Sequence, residues 1–166
     1  MNNFNPQPTK ESFKTISPEK LELLKMEKEG IFLFHGTRAD IDSLEPRQAV
    51  DNERGPDGEP AIFASPAVDF AIFHAIINSS NFPEGIVSQS GAISHDDGSF
   101  KLRFKLPRGV LAKLPDSAAG WVYVFKKEDF AQIKERPAEY KSQISVQPLR
   151  KIRVLKRDLP SGIGIL

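Results

Sequence analysis

Apolar residues recur along this chain with two different spacings, and the changes of spacing outline its elements. Leu21, Leu24 and Met26 follow Ser17-Pro18 with a helical rhythm; the serine suits an N-cap and the proline a first turn, so a helix is predicted from Ser17 to Gly30. Ile31 to Phe34 is a run of four bulky apolar residues, as expected of a short strand covered on both faces. Ala61 to Ala64 forms a second such strand, ending at Ser65-Pro66 where a new helix is predicted to about Asn78. Val68, Phe70, Ala71, Phe73, Ala75, Ile76 and Ile77 nearly surround that helix, so it must be buried or face a ligand.

The second half reads mainly as strands. From Ser99 to Leu106 the period is two, with Phe100, Leu102, Phe104 and Leu106 on one face and the basic row Lys101, Arg103 and Lys105 on the other, as on a solvated sheet face. Gly120 to Phe125, Glu139 to Val146 and Ile152 to Leu155 are further strands, and Glu128 to Ile133 a short helix. Two polar stretches interrupt the pattern. Residues 39–60 form a charged connector rich in Pro and Gly, and residues 79–98 a loop or hairpin suited to act as a lid. Residues 1–16, polar and bearing two prolines, read as an N-terminal arm on a domain of residues 17–166. The fold class is therefore α+β: a single domain of short, mainly antiparallel strands in one or two sheets with a few helices.

Composition narrows the partners. The 166 residues suffice for one core, and 23 basic against 22 acidic side chains leave a net charge of +1, so no general field draws the chain to nucleic acid or anionic lipid. Absence of cysteine removes disulfides, thiolate metal sites and a cysteine nucleophile, and fits a cytoplasmic setting. The first residues lack a basic start and an apolar core, and no apolar run approaches the roughly 20 residues that span a bilayer, so no membrane partner is expected. The three histidines, His35, His74 and His95, match no zinc spacing, and no metal is expected.

Chemistry concentrates where the first strand ends, at Phe34-His35-Gly36-Thr37-Arg38. A glycine lets backbone approach a ligand, while His35 and Thr37 offer directional polar groups beside it. A branched side chain at Gly36 is accordingly expected to block the ligand and spare the fold. Arg38 and Arg47 flank the same region as possible partners for a diphosphate.

Three segments in order resemble the ADP-ribosyltransferase superfamily in its poly(ADP-ribose) polymerase-like branch. They are Phe34 to Arg38, similar to its His-Gly-Ser/Thr segment; Ala61-Ile62-Phe63-Ala64-Ser65, similar to Ile-Tyr-Phe-Ala-Asp; and Glu139-Tyr140-Lys141-Ser142 with Val146, similar to the strand bearing the catalytic glutamate. The resemblance implies an ADP-ribosyltransferase-like fold with NAD as substrate, bound between the first two strands. It also implies roles. His35 would hold the adenosine-side ribose, the Gly36 backbone would pair with the nicotinamide carboxamide, and Thr37 would add a hydroxyl contact. Glu139 would bind the nicotinamide ribose, stabilise the oxocarbenium-like transition state and help activate the acceptor. Ile62 stands where the family has a stacking tyrosine; Phe63, Phe70 and Phe73 are then the aromatic candidates beside the ring, Phe73 occupying the place of the family's second aromatic.

Two other readings share these residues: a non-catalytic module binding NAD, ADP-ribose, a nucleotide or a protein, and an RNA 2′-phosphotransferase-like enzyme. The acceptor, whether protein, nucleic acid or small molecule, is held by loops and is not specified by these motifs. Toxin, host-directed effector and housekeeping roles are all compatible with them, as is any oligomeric state.

Overall fold

A computed structural model describes residues 15–51 and 55–166. The predicted arm lies outside the described residues apart from its last two. The first helix, α1 (Pro18–Glu29), has the ends its sequence announces: Ser17 Oγ accepts from Lys20 N–H at 3.0 Å, and Gly30 closes the helix at φ 72°. Leu23 is buried against the core while Leu21 stays outside it. The N-terminal end is tied down at a distance, because Ser17 Oγ also donates to the buried Asp158 carboxylate and Lys20 Nζ donates to the Asp158 carbonyl.

The strands that follow are β1 (Phe32–Thr37), β2 (Arg47–Asp51) and β3 (Gly55–Ala64), then helix α2 (Val68–Ile76). β4 (Gln89–Ser94) and β5 (Phe100–Leu106) make a hairpin; a short helical turn, α3 (Val110–Lys113), leads to β6 (Ala119–Lys126). The chain ends through β7 (Ala131–Gln132), β8 (Tyr140–Ser142), β9 (Arg150–Leu155) and β10 (Gly164–Ile165). They form three sheets, in the orders β1-β6-β9, β2-β3-β8-β7 and β10-β5-β4, and every pairing is antiparallel except β5 with β10. The α+β class and antiparallel character are as expected from the pattern; the sheets number three rather than one or two.

The sheet β1-β6-β9 is covered on both faces. On one, Phe34, Val122, Val124, Ile152 and Val154 pack with α2 and with Phe104 and Leu106 of the hairpin. On the other, Leu33, Tyr123 and Phe125 meet Ile62, Ala64 and Tyr140 of the β3-β8 sheet. Alternation along β1 therefore sorts Phe34 and Gly36 toward α2, and Leu33, His35 and Thr37 toward the second sheet.

Helix α2 lies almost in contact with the sheet backbone. A Cβ on Gly36 would stand 1.8 Å from the Ala71 carbonyl oxygen, and one on Gly120 would stand 2.0 Å from that of Ala75. Glycines on adjacent strands thus receive two alanines one helical turn apart, and the helix settles into the groove they leave. This corrects the expectation that a larger residue at Gly36 would spare the fold: the space a side chain would take is filled by helix backbone.

Several boundaries differ from those predicted. Residues 39–60 contain β2 and the start of β3, paired as a ribbon. β4 lies inside the stretch 79–98, where Gly and Ser obscured its period. In place of the predicted helix from Glu128 to Ile133 there is a single turn, Lys127–Asp129, followed by β7. The strand begun at Glu139 covers only Tyr140 to Ser142, and Val146 bridges separately to Leu44. Ser65 does not cap α2. Its Oγ accepts from Ala67 N–H at 3.1 Å, and the helix proper starts after Ala67, with Glu27 of α1 accepting from Val68 N–H at 2.8 Å. No helix among the described residues is long and apolar enough to cross a membrane.

Candidate ligand-binding cleft

β1 and β3 touch at one point and then part. Phe34 N–H donates to the Ser65 carbonyl at 2.8 Å and Ser65 N–H donates back to the Phe34 carbonyl at 2.9 Å, yet the two strands make no further ladder. Backbone groups on a strand face alternate edges, so Gly36, two residues on, directs its N–H and C=O toward the same edge as Phe34, away from β6. Its register partner Val122 stands in a non-hydrogen-bonded pair. Gly36 thus presents to the gap where β3 splays away an amide donor and acceptor that no described residue engages.

That gap opens into a cleft of about 1300 Å³, a volume sufficient for a dinucleotide. Its floor is His35, Gly36, Thr37 and Arg38; Phe63, Ala64 and Ser65 form one side, and Phe70, Ala71 and His74 of α2 form the roof. The hairpin supplies the remaining wall through residues 87–93 together with Arg103 and Lys105. Glu139 also lines the cleft. β3 pairs with β8 so that Ala64 faces Tyr140, which brings Glu139 beside Ser65 and hence close to the junction with β1.

Several of its polar groups are held in place. His35 Nδ1–H donates to the Phe63 carbonyl at 2.6 Å; a carbonyl only accepts, so the proton sits on Nδ1 and Nε2 is the acceptor of the neutral ring. Burial lowers the His35 pKa and the bond to Phe63 only partly opposes this, so the ring is neutral near pH 7. His74 is open to water in the cleft yet enclosed by protein on most sides. That enclosure, with His35 adding to it, pushes its pKa down to about 4. The His74 ring leans on Phe70, centroids 4.8 Å apart, and its Nε2 shares a 3.0 Å hydrogen bond with Ser90 Oγ across to the hairpin. Arg38 donates to Ser79 Oγ at 2.5 Å. Glu139 is half-buried in a tight turn whose Glu139 N–H donates to the Arg136 carbonyl at 2.9 Å, and its carboxylate lies 3.4 Å from Arg136 Nη1.

Of the residues singled out in the sequence, His35, Gly36, Thr37, Arg38, Phe63, Phe70 and Glu139 line this one cleft. Two do not. Ile62 is 2% exposed, its side chain facing the core between the sheets because β3 alternates and Phe63 takes the cleft side. Phe73 is fully buried and stacks on Phe104 with centroids 4.7 Å apart, fixing the hairpin to α2 rather than meeting a ligand. Arg47 pairs opposite Ala61 on β2 and does not line the cleft. Among the described residues no group of three His, Asp or Glu stands where it would hold a metal ion.

Comparisons with protein-family models, with curated proteins and with solved structures find no match to this chain. The sequence did not assign His74, Ser90, Arg103 and Lys105 to the cleft. The alternation of β5 did mark the basic row, but nothing local shows that the hairpin folds back so that two of its members line the cleft.

Proposed function

We propose that the cleft binds NAD and transfers its ADP-ribosyl group, with Glu139 as the catalytic carboxylate. The observation that carries this reading is the N–H and C=O of Gly36, engaged by no described residue, on an open strand edge in one cleft with His35 and Glu139. A primary carboxamide such as that of nicotinamide is a donor and an acceptor side by side, which complements such an edge without any side chain. His35 Nε2 accepts a ribose hydroxyl, and Phe63 and Phe70 offer ring faces for stacking. Rupture of the bond between ribose C1″ and nicotinamide leaves positive charge on the ribose; the Glu139 carboxylate stabilises it, and nicotinamide departs neutral with the bonding pair. A hydroxyl acceptor, or water, then bonds to C1″ and releases its proton.

The test is nicotinamide release from NAD, followed with and without candidate acceptors. Glu139→Gln keeps the shape and removes the charge, so the rate should fall on the order of 100-fold to 1,000-fold, with little change in NAD affinity. Release unaltered by Glu139→Gln would remove that residue from the chemistry. The contact between Glu139 and Arg136 favours a second reading, a cleft that binds the same ligand without turnover, because a paired carboxylate is a weaker partner for a developing cation. NAD binding with no nicotinamide release under any acceptor would establish it.

A further inference from the structure

We propose that the β4–β5 hairpin is the phosphate-binding wall of the cleft, with Arg103 and Lys105 holding a diphosphate; this rests on the cleft being a dinucleotide site. Charge supplies the first argument. Among the described residues, the cleft is lined by three cations, Arg38, Arg103 and Lys105, and by a single carboxylate, Glu139, which already faces Arg136. Arg38 is engaged by Ser79 Oγ, whereas Arg103 and Lys105 make no ion pair or hydrogen bond with a described residue. Two like charges two residues apart on one strand face repel each other, and an anion between them relieves this. A diphosphate, negative on each phosphate, fits that spacing. Arg adds its planar fork and Lys a compact charge.

Space supplies the second argument. Gly91 on β4 is the register partner of Arg103 and lines the same cleft, and a Cβ placed on it would meet nothing within 4 Å. The position opposite Arg103 therefore carries no side chain and is open. Lys101, the third member of the row, lies nearer the hairpin turn and does not line the cleft. It provides an internal control.

The experiment measures binding of ADP-ribose, adenosine and inorganic diphosphate to the whole chain by calorimetry. Arg103→Gln and Lys105→Gln should each weaken ADP-ribose about tenfold, and the double variant should lose inorganic diphosphate, with adenosine unchanged. Lys101→Gln should bind as the parent does. Gly91→Glu, which sets a carboxylate opposite Arg103, should weaken ADP-ribose at least as much as Arg103→Gln, and the affinity of the parent should fall with added salt. Parent-like ADP-ribose affinity in the double variant, equal loss of adenosine, or a parent that binds neither ADP-ribose nor diphosphate would overturn the proposal. Failure of the NAD reading looks different: ADP-ribose and diphosphate would bind through Arg103 and Lys105 while NAD released no nicotinamide.

Discussion

On one side of the cleft, β1 and its neighbour β6 meet α2 through Gly36, Gly120, Ala71 and Ala75 with no room for a methyl group; on the other, the β4–β5 hairpin carries Arg103 and Lys105 beside open space at Gly91. Backbone does the presenting on the first wall and long side chains on the second. The difference teaches what each can recognise. A strand edge fixed by a helix packed against it holds its N–H and C=O to within a fraction of an ångström, as discrimination of a flat amide requires. Long cations on a hairpin adapt to a charge whose position varies, and they lose strength in salt.

The contrast breaks most visibly at the glycines. None of the three has a positive φ, so the cost of a side chain there is purely steric. Gly36→Val and Gly120→Val should each destabilise the domain by more than about 3 kcal/mol or prevent folding, since α2 must lift off the sheet. Gly91→Ala should unfold at the denaturant concentration of the parent. A Gly120→Val protein with the parent's unfolding midpoint would mean that the first wall is as yielding as the second.

Acid should act on the fold through the histidines of the roof and floor. His74, with a pKa near 4 in the fold against an ordinary 6.5, and His35, shifted the same way, bind protons in the unfolded chain before they do in the folded one. Stability is then level above pH 6.5 and declines as pH falls below it, for His74 until about pH 4. Urea midpoints taken from pH 7.5 to 5 should show this decline, and His74→Gln should reduce it. A flat profile would mean that the cleft solvates both rings as water does.

The smallest effect is expected where the walls touch. Ser90→Ala removes the hydroxyl bonded to His74 Nε2, an exposed link, and should cost on the order of 0.5–1 kcal/mol, a shift of a few degrees in melting temperature. A larger loss would show the hairpin to be part of the rigid wall.

Where local chemistry decided structure, the sequence could be read directly. Ser17, Pro18 and Gly30 bound α1 by their own capping and turn preferences, and the alternation in residues 100–106 gave β5 its two faces. Long-range packing decided the rest. Gly36 looks like the opening of a loop because nothing in its neighbourhood reveals that Ala71 will lie over it, and so the strand continues through Thr37. Ile62 and Phe63 are equally apolar, and which of them faces the cleft depends on the register of β3 with β8. His35 and Glu139 could be assigned to one cleft only through the resemblance; physically they meet because the Phe34–Ser65 bridge and the β3–β8 ladder are contiguous.

The carboxylate of Glu27 that closes the N-terminal end of α2 comes from a different helix, and its burial raises its pKa even as the Val68 N–H opposes the shift. The roof of the cleft is thus completed by α1, which contributes nothing to the lining. A chain trimmed to begin at Gly30 would keep every residue named in the cleft and still leave α2 frayed at its first turn, the Val68 N–H without its acceptor. The smallest unit able to hold a ligand is therefore larger than the set of residues that touch it.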